Sequence, residues 1–163
     1  MRHIISILLE NEAGALSRVS GLFSARAYNI ESLTVAPTSD PTISRITVVA
    51  QGEEQVVEQI MKQLNKLVDV IKLIDLTEHD HFEREIMLIK VEPAGSQMNS
   101  LAAVIEDIQA SKLEEAGDII TLEVTDNGHK LNEALEKLEP FNVIEVVRSG
   151  AVGIGSGQTL LKI

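Results

Sequence analysis

The order of hydrophobic patterns along this chain occurs twice, and that repeat limits the fold more than any other feature of the sequence. Residues 3–74 alternate between strand-like and helix-like periods in the order strand, helix, strand, strand, helix, strand. Residues 84–148 give the same order, with SKLEEA (111–116) as a weak strand. Right-handed crossovers place both helices of such a module on one face of an antiparallel sheet. The sequence therefore predicts an α+β fold of two ferredoxin-like βαββαβ modules.

A polar segment separates the two modules. Residues 75–84 (DLTEHDHFER) interrupt the hydrophobic pattern, so we predict a first domain at 1–76, a linker at 77–83 and a second domain at 84–163 with a short tail. Helices on one face leave the other face of each sheet bare, although strands such as 43–50 carry apolar residues on both faces. A bare apolar face favours a partner, so we expect oligomerisation or docking onto another protein.

Composition excludes several classes of protein. The 163 residues include no Cys, which excludes a disulfide framework, a thiolate nucleophile and a Cys-based metal site. With 14 basic and 25 acidic residues the net charge is −11, and no basic patch is available for nucleic acid. No apolar run approaches the ~20 residues that span a bilayer. The N-terminal apolar run meets Glu10 and Glu12 where a signal peptide has its cleavage site. We therefore expect a cytoplasmic protein that binds neither nucleic acid nor membranes.

The segment LENEAGALS (9–17) is the strongest candidate for a ligand site. Gly14 and Ala15 begin a helix directly after a strand, so their backbone N–H groups are expected to face solvent without partners. A helix end of this kind binds a carboxylate or a phosphate. Asn11 can accept from an ammonium or donate to a carboxylate, and Asn29 begins the second strand nearby. The alternative is that Asn11 and Gly14 only shape the turn, and spacing alone leaves both interpretations open.

A second glycine pattern lies near the end of the chain. Gly153, Gly155 and Gly157 follow a strand and superficially resemble a dinucleotide-binding loop. That loop needs a helix after the glycines, and the 6 residues that follow Gly157 are too few to form one within a βαβ unit. We expect a flexible tail here.

No group of side chains in the sequence indicates catalysis. His79-Asp80-His81 could bind a divalent metal, but side chains in an exposed linker lack the fixed geometry of a specific site. His3 and His129 are isolated in the sequence. The serines at 17–24 have no His at a spacing that would support a Ser–His nucleophile. We therefore predict neither an active site nor a metal site.

Five segments of the chain resemble the small regulatory subunits of acetolactate (acetohydroxyacid) synthase. They are LLENEAGALSRVSGLFSARAYNIESLTVAP (8–37), DPTISRITVV (40–49), LNKLVDVIKL (64–73), EREIMLIKV (83–91) and VIEVVRSG (143–150). The resemblance implies that the first module is an ACT domain, a small βαββαβ module that binds amino acids. The second module would then be an ACT-like domain.

The resemblance also implies where an effector binds. In that family two ACT domains pair across subunits and hold the feedback inhibitor, usually valine, at their interface. The positions of this sequence that match are Asn11, Gly14, Ala15 and Leu16 from one subunit, with Asn29, Ile30 and Val35 from the other. The expected assembly is thus a homodimer formed through the ACT domains.

A separate catalytic subunit is the other partner that the resemblance implies. It would carry thiamine diphosphate, magnesium and FAD, and it would condense two pyruvates, or pyruvate with 2-oxobutyrate, in branched-chain amino acid synthesis. This chain would be its non-catalytic regulatory subunit, with no cofactor or metal of its own. Two alternatives are a stand-alone amino-acid-responsive ACT regulator and a metal-responsive regulator built on His79, His81 and the second module.

Overall fold

The helices and strands follow the repeated order, and both predicted modules are confirmed. The computed structural model describes residues 1–26 and 28–163. Its elements are β1 (Arg2–Glu10), α1 (Ala15–Ser24), β2 (Asn29–Pro37), β3 (Ile43–Gln51), α2 (Glu54–Leu64), β4 (Val70–Asp75), β5 (His81–Val91), α3 (Met98–Asp107), β6 (Ser111–Ala116), β7 (Ile119–Asp126), α4 (Gly128–Leu138), β8 (Val143–Arg148) and β9 (Val152–Gly155). The weak segment SKLEEA does form β6, although all of its residues are exposed. It is an edge strand, so a hydrophobic pattern is not required of it.

The chain divides into two compact units, and the division corrects our predicted boundaries. The first unit contains residues 1–82 together with 151–163, and the second contains residues 83–150. We expected 151–163 to belong to the second domain as a short tail. We also expected 77–83 to be a linker, whereas a 3-10 turn covers Leu76–Glu78 and β5 already begins at His81.

The first unit is a four-stranded antiparallel sheet in the order β2-β3-β1-β4. Both helices pack on one face of it, as right-handed crossovers require. The core on this face consists of side chains from β1, β3, α1 and α2: Ile5, Ile7, Leu9, Ala15, Val19, Phe23, Tyr28, Ile46, Val48, Ala50, Val57, Ile60 and Leu64. Seven consecutive residues of the central strand β1 are buried, which shows that its other face is covered as well.

The end of the chain covers part of that other face. Ala151 is buried in a small cluster with Ile4, Val49 and Leu76. A Cβ atom on Gly153 would lie 2.8 Å from Leu76 Cδ1 and 2.9 Å from Ile4 Cδ1, so only glycine allows this close approach. Our prediction of a flexible tail is therefore wrong, because residues 152–155 form β9 and pack on the sheet that we expected to be bare.

Hydrogen bonds fix the same segment to the sheet. The Arg45 guanidinium donates from Nε to Ser6 Oγ (2.8 Å) and from Nη2 to the Gly153 carbonyl (2.9 Å). The Gly153 N–H donates to Thr47 Oγ1 at 3.4 Å. Burial lowers the pKa of Arg45 from its ordinary value. Its hydrogen bonds within the first unit therefore compensate for the removal of a charged group from water.

His3, which is isolated in the sequence, has a buried partner in the structure. Its Nδ1 lies 3.0 Å from Asp75 Oδ2, and both residues are buried. The other Asp75 oxygen accepts from the Thr77 N–H at 2.9 Å, and Thr77 Oγ1 accepts from the Ile4 N–H at 2.9 Å. This polar group joins the start of β1 to the end of β4, so its role is structural.

The second unit repeats the architecture with the strand order β6-β7-β5-β8. Its core lies between the sheet and α3 and α4, and it is formed by Met87, Ile89, Val91, Leu101, Ile120, Leu122, Val124, Leu131, Ala134, Leu138 and Phe141. The strand β8 is an edge of this sheet. Among the described residues of both units, no helix is long and apolar enough to cross a membrane.

Candidate functional site

The turn from β1 into α1 presents free backbone donors. Gly14 caps the helix with φ +85°, a left-handed conformation that favours glycine. We expected the Ala15 N–H to be unpaired, and this is wrong, because it donates to the Glu12 carbonyl at 3.2 Å. Within the described part of the chain, the next N–H groups, those of Leu16 and Ser17, donate to no acceptor. These two groups lie at the positive end of the helix dipole, an arrangement that is chemically suited to an anion.

Asn11 lies beside this turn and holds a neighbouring loop. Its side-chain Nδ2 donates to the Pro41 carbonyl at 3.0 Å, and its backbone N–H donates to the Thr42 carbonyl at 2.8 Å. The loop is further ordered by Asp40, whose Oδ1 accepts from the Thr42 N–H and hydroxyl at 2.9 and 2.7 Å. These bonds from Thr42 lower the pKa of Asp40. Since the amide nitrogen of Asn11 is engaged, its Oδ1 remains as an acceptor for an ammonium group.

Arg18 is a member of the site that the sequence did not indicate. Its Nε and Nη2 donate to Asp69 Oδ2 (2.6 Å) and Oδ1 (2.9 Å), in a two-pronged pair with a buried carboxylate. The third nitrogen, Nη1, lies 3.0 Å from where a Cβ atom on Gly14 would be. Asp69 thus fixes a guanidinium beside the start of α1, where it adds positive charge next to the free N–H groups.

The pairing with Arg18 lowers the pKa of the Asp69 carboxyl from its ordinary value. A depressed carboxyl pKa stabilises the fold above the unfolded-state pKa of about 4, and this contribution is lost as the pH falls through the folded-state value. We therefore expect Asp69→Asn to lower the melting temperature at pH 7 and to have a smaller effect near pH 2. The difference in melting temperature between the wild-type chain and Asp69→Asn is measured by thermal unfolding at pH values from 2 to 7. An equal difference at both pH values would contradict the assignment.

The other predicted site residues lie in two places. The Ala15 side chain is buried, so this residue contributes only its backbone, while Leu16 is 40% exposed beside the turn. Asn29, Ile30 and Val35 are on β2, and Val35 is 41% exposed. The expectation that Asn29 lies near Asn11 within one chain is wrong.

The strand register shows how far apart these two groups are. Asn29 is opposite Gln51 at one end of β3, whereas Glu10, the neighbour of Asn11, is opposite Ile43 at the other end. A strand from 43 to 51 is roughly 26 Å long. One chain therefore brings Asn11, Gly14, Ala15 and Leu16 together but leaves Asn29 and Ile30 at the opposite end of the sheet.

The structure does not arrange the side chains of His79-Asp80-His81 as a metal site. His79 is exposed, and one ring nitrogen of His81, Nδ1, lies 2.8 Å from the His79 carbonyl oxygen. Across residues 1–26 and 28–163, no group of three or more His, Asp or Glu side chains is arranged to hold a metal ion. His129 lies 3.2 Å from Glu133 on the exposed side of α4. The structure therefore gives no support to the metal-responsive alternative.

Comparison with known proteins gives the family. A model described as an AHAS small subunit-like ACT domain matches residues 5–72, and one described as the small subunit of acetolactate synthase matches residues 84–157. An acetolactate synthase small subunit of Haemophilus influenzae is 46% identical over 97% of this chain and 98% of its own length. The chain belongs to the family of acetolactate synthase small subunits. It therefore has the regulatory role of that family.

More distant relatives extend the similarity over the whole chain. The isozyme 3 small subunit of Escherichia coli is 45% identical and covers 99% of this chain and 100% of its own. The small subunit of Bacillus subtilis is 40% identical over 96% of this chain and 92% of its own. A crystal structure of the acetolactate synthase small subunit from Thermotoga maritima matches with a TM-score of 0.86, at 29% identity, over 98% of this chain and 99% of that one.

Proposed function

We propose that the chain activates the catalytic subunit of acetolactate synthase and makes it sensitive to feedback inhibition by valine or a related branched-chain amino acid. The observation that carries this proposal is the complementarity of the β1–α1 turn to an amino acid. The free N–H groups of Leu16 and Ser17 and the adjacent Arg18 guanidinium suit a carboxylate. Asn11 Oδ1 suits the ammonium of the same molecule.

A second copy of the chain completes this site in the proposal. The strand β2 is an edge of the sheet, so two copies can pair their β2 strands antiparallel about a two-fold axis. Such pairing places the partner's Asn29 next to Pro37 of the first copy, which is the end of the sheet where Asn11 lies. The two groups that are roughly 26 Å apart in one chain meet in this way in a dimer.

The side chain of the effector would contact apolar groups from both copies. Leu16 is 40% exposed beside the turn. Ile30 and Val35 lie opposite Ala50 and Ile46, both core residues, and so project from the face that carries the helices. A branched aliphatic side chain fits this environment. Valine then acts by binding one arrangement of the dimer more tightly than another, with a coupling of typically about 1–3 kcal/mol.

The chemistry itself stays on the catalytic subunit in this proposal. Thiamine diphosphate, magnesium and FAD are assigned there, and this chain acts in the cytoplasm without catalytic residues of its own. Its contribution is to bind the effector and to change the activity of its partner. The two functions use different surfaces, so they can be separated by mutation.

The test is to mix the purified chain with the purified catalytic subunit of the same organism and to measure acetolactate formation with and without valine. We expect the chain to raise the activity several-fold and valine to remove most of the gain. Leucine and isoleucine are assayed in parallel, which identifies the preferred effector. A mixture whose rate equals that of the catalytic subunit alone would overturn the proposal. Binding of an amino acid without any effect on that rate would favour the stand-alone ACT regulator.

A further inference from the structure

A groove in the second unit, between α4 and β8, has no role in the effector site. It has a volume of about 500 Å³ and is lined by Asn132, Leu135, Glu136, Glu139, Val143 and Val146. Leu135 and Val143 form an apolar floor that packs against the core of the second unit, and Val146 is 38% exposed. We call this feature the α4–β8 groove.

The rim of the α4–β8 groove carries uncompensated negative charge. Two acidic groups elsewhere on the helices of this unit have basic partners, since Lys130 pairs with Glu133 and Lys137 with Asp107. Glu136 and Glu139 are exposed, and in the described part of the chain neither forms an ion pair. Asn132 uses its Oδ1 to accept from Arg148 at 2.7 Å, which leaves its amide N–H groups as donors.

One wall of the groove is an open sheet edge. In the second unit, no described strand lies beyond β8. The strand β8 is antiparallel to β5, and along such a pair the backbone N–H and C=O groups of successive residues point alternately toward the neighbouring strand and away from it. The Ser149 N–H donates to the Ile86 carbonyl, so the backbone groups of Ser149 and of Val147, two residues earlier, point toward β5. The backbone groups of Val146 and Arg148 therefore point outward. Outward-pointing N–H and C=O groups beside a groove are the features that bind an added strand.

We infer that the α4–β8 groove binds an extended basic segment of the catalytic subunit as an additional strand along β8. Backbone hydrogen bonds would form with the outward groups of Val146 and Arg148. An apolar side chain of the segment would enter the groove over Leu135 and Val143, and flanking Lys or Arg side chains would meet Glu136 and Glu139. The inference rests on the regulatory role proposed above, since that role requires a contact with the catalytic subunit.

Charge decides between this occupant and a second copy of the chain. The second unit has 6 basic and 14 acidic residues, a net charge of −8, against −3 for the first unit. Pairing two β8 strands about a two-fold axis would bring the acidic rims of two grooves together, with like charges opposed. A basic segment from a different protein gains attraction at the same positions, both in the bound state and during association.

The test uses two charge-reversed double variants of the full chain. Glu136→Lys with Glu139→Lys reverses the rim of the groove. Glu114→Lys with Asp118→Lys makes the same change in net charge at the β6–β7 hairpin, on the opposite edge of the same sheet. Binding to the purified catalytic subunit is measured by calorimetry at two salt concentrations. We expect the groove variant to raise the dissociation constant about 10-fold or more and to reduce its salt dependence, and the hairpin variant to stay within about 2-fold of wild type.

A second pair of variants tests the added strand. Val146→Pro removes an outward N–H that the β5–β8 ladder does not use, whereas Val146→Thr keeps it. Only Val146→Pro should lose binding to the catalytic subunit. Circular dichroism checks that both variants are folded. If the groove variant binds the catalytic subunit as tightly as wild type, the inference is overturned while the proposed function stands. If the wild-type chain does not bind it either, the proposed function fails as well.

Discussion

Gly14→Asp should abolish valine binding, with an increase of about 100-fold or more in the dissociation constant measured by calorimetry. The new carboxylate would lie beside the free N–H groups of Leu16 and Ser17, where the carboxylate of the effector is proposed to bind. It would also neutralise Arg18, because a Cβ at position 14 lies 3.0 Å from Nη1 of that residue. The left-handed conformation of residue 14, φ +85°, adds a cost of about 1–2 kcal/mol to the fold.

The matched control is Gly21→Asp on the same helix. A Cβ at this position meets no atom within 4 Å, and the residue lies away from the N-terminus of α1. This variant has the same added charge, and it should bind valine nearly as wild type does. Asn11→Ala, which removes the ammonium acceptor, should lose binding as well. Activation of the catalytic subunit should persist in all three variants. Normal valine binding by both Gly14→Asp and Asn11→Ala would show that the site assignment is wrong.

The modules could be predicted from the sequence because their signal is local and periodic. Alternating apolar residues indicate β3 and β7, and stripes at helical spacing indicate α2 and α4. The helix start at Gly14 is equally local, so the position of the free N–H groups at that turn was predictable from the strand, glycine and helix in succession. The resemblance to a family then indicated which other residues would complete the proposed site in a second copy.

Pairings between distant residues could not be predicted in the same way. Arg18 and Asp69 are 51 positions apart, and His3 and Asp75 are 72 apart, so no local pattern connects them. The position of Asn29 relative to Asn11 also depends on strand register, which fixes them at opposite ends of β3. The packing of residues 151–163 on the sheet could not be predicted for a different reason. Gly153 fits against the sheet because it has no side chain. A pattern based on hydrophobic side chains does not detect such a contact.

The packed tail leads to the second large prediction. Deleting residues 151–163 should lower the free energy of unfolding of the first unit by about 3–5 kcal/mol. The deletion removes Ala151 and Gly153 from the cluster that covers Ile4, Val49 and Leu76, all of which are buried. Exposing side chains of this size costs about 1.5–3 kcal/mol for each one that becomes fully accessible. Arg45 would also lose the Gly153 carbonyl as a hydrogen-bond partner in a partly buried position.

Denaturant unfolding measures the loss, and hydrogen exchange in residues 1–82 assigns it to the first unit. A shorter deletion, of residues 160–163, is the control. It keeps β9, and it removes Leu160 and Ile163, which are 53% and 77% exposed. Its effect should therefore be within about 0.5 kcal/mol. Gly153→Val tests the same contact without shortening the chain, since its Cβ would lie under 3.0 Å from Leu76 and Ile4 and should cost about 1–3 kcal/mol. If the full chain and the longer deletion have the same free energy of unfolding, the strand β9 contributes no stability. The apolar face of the sheet would then be available to a partner.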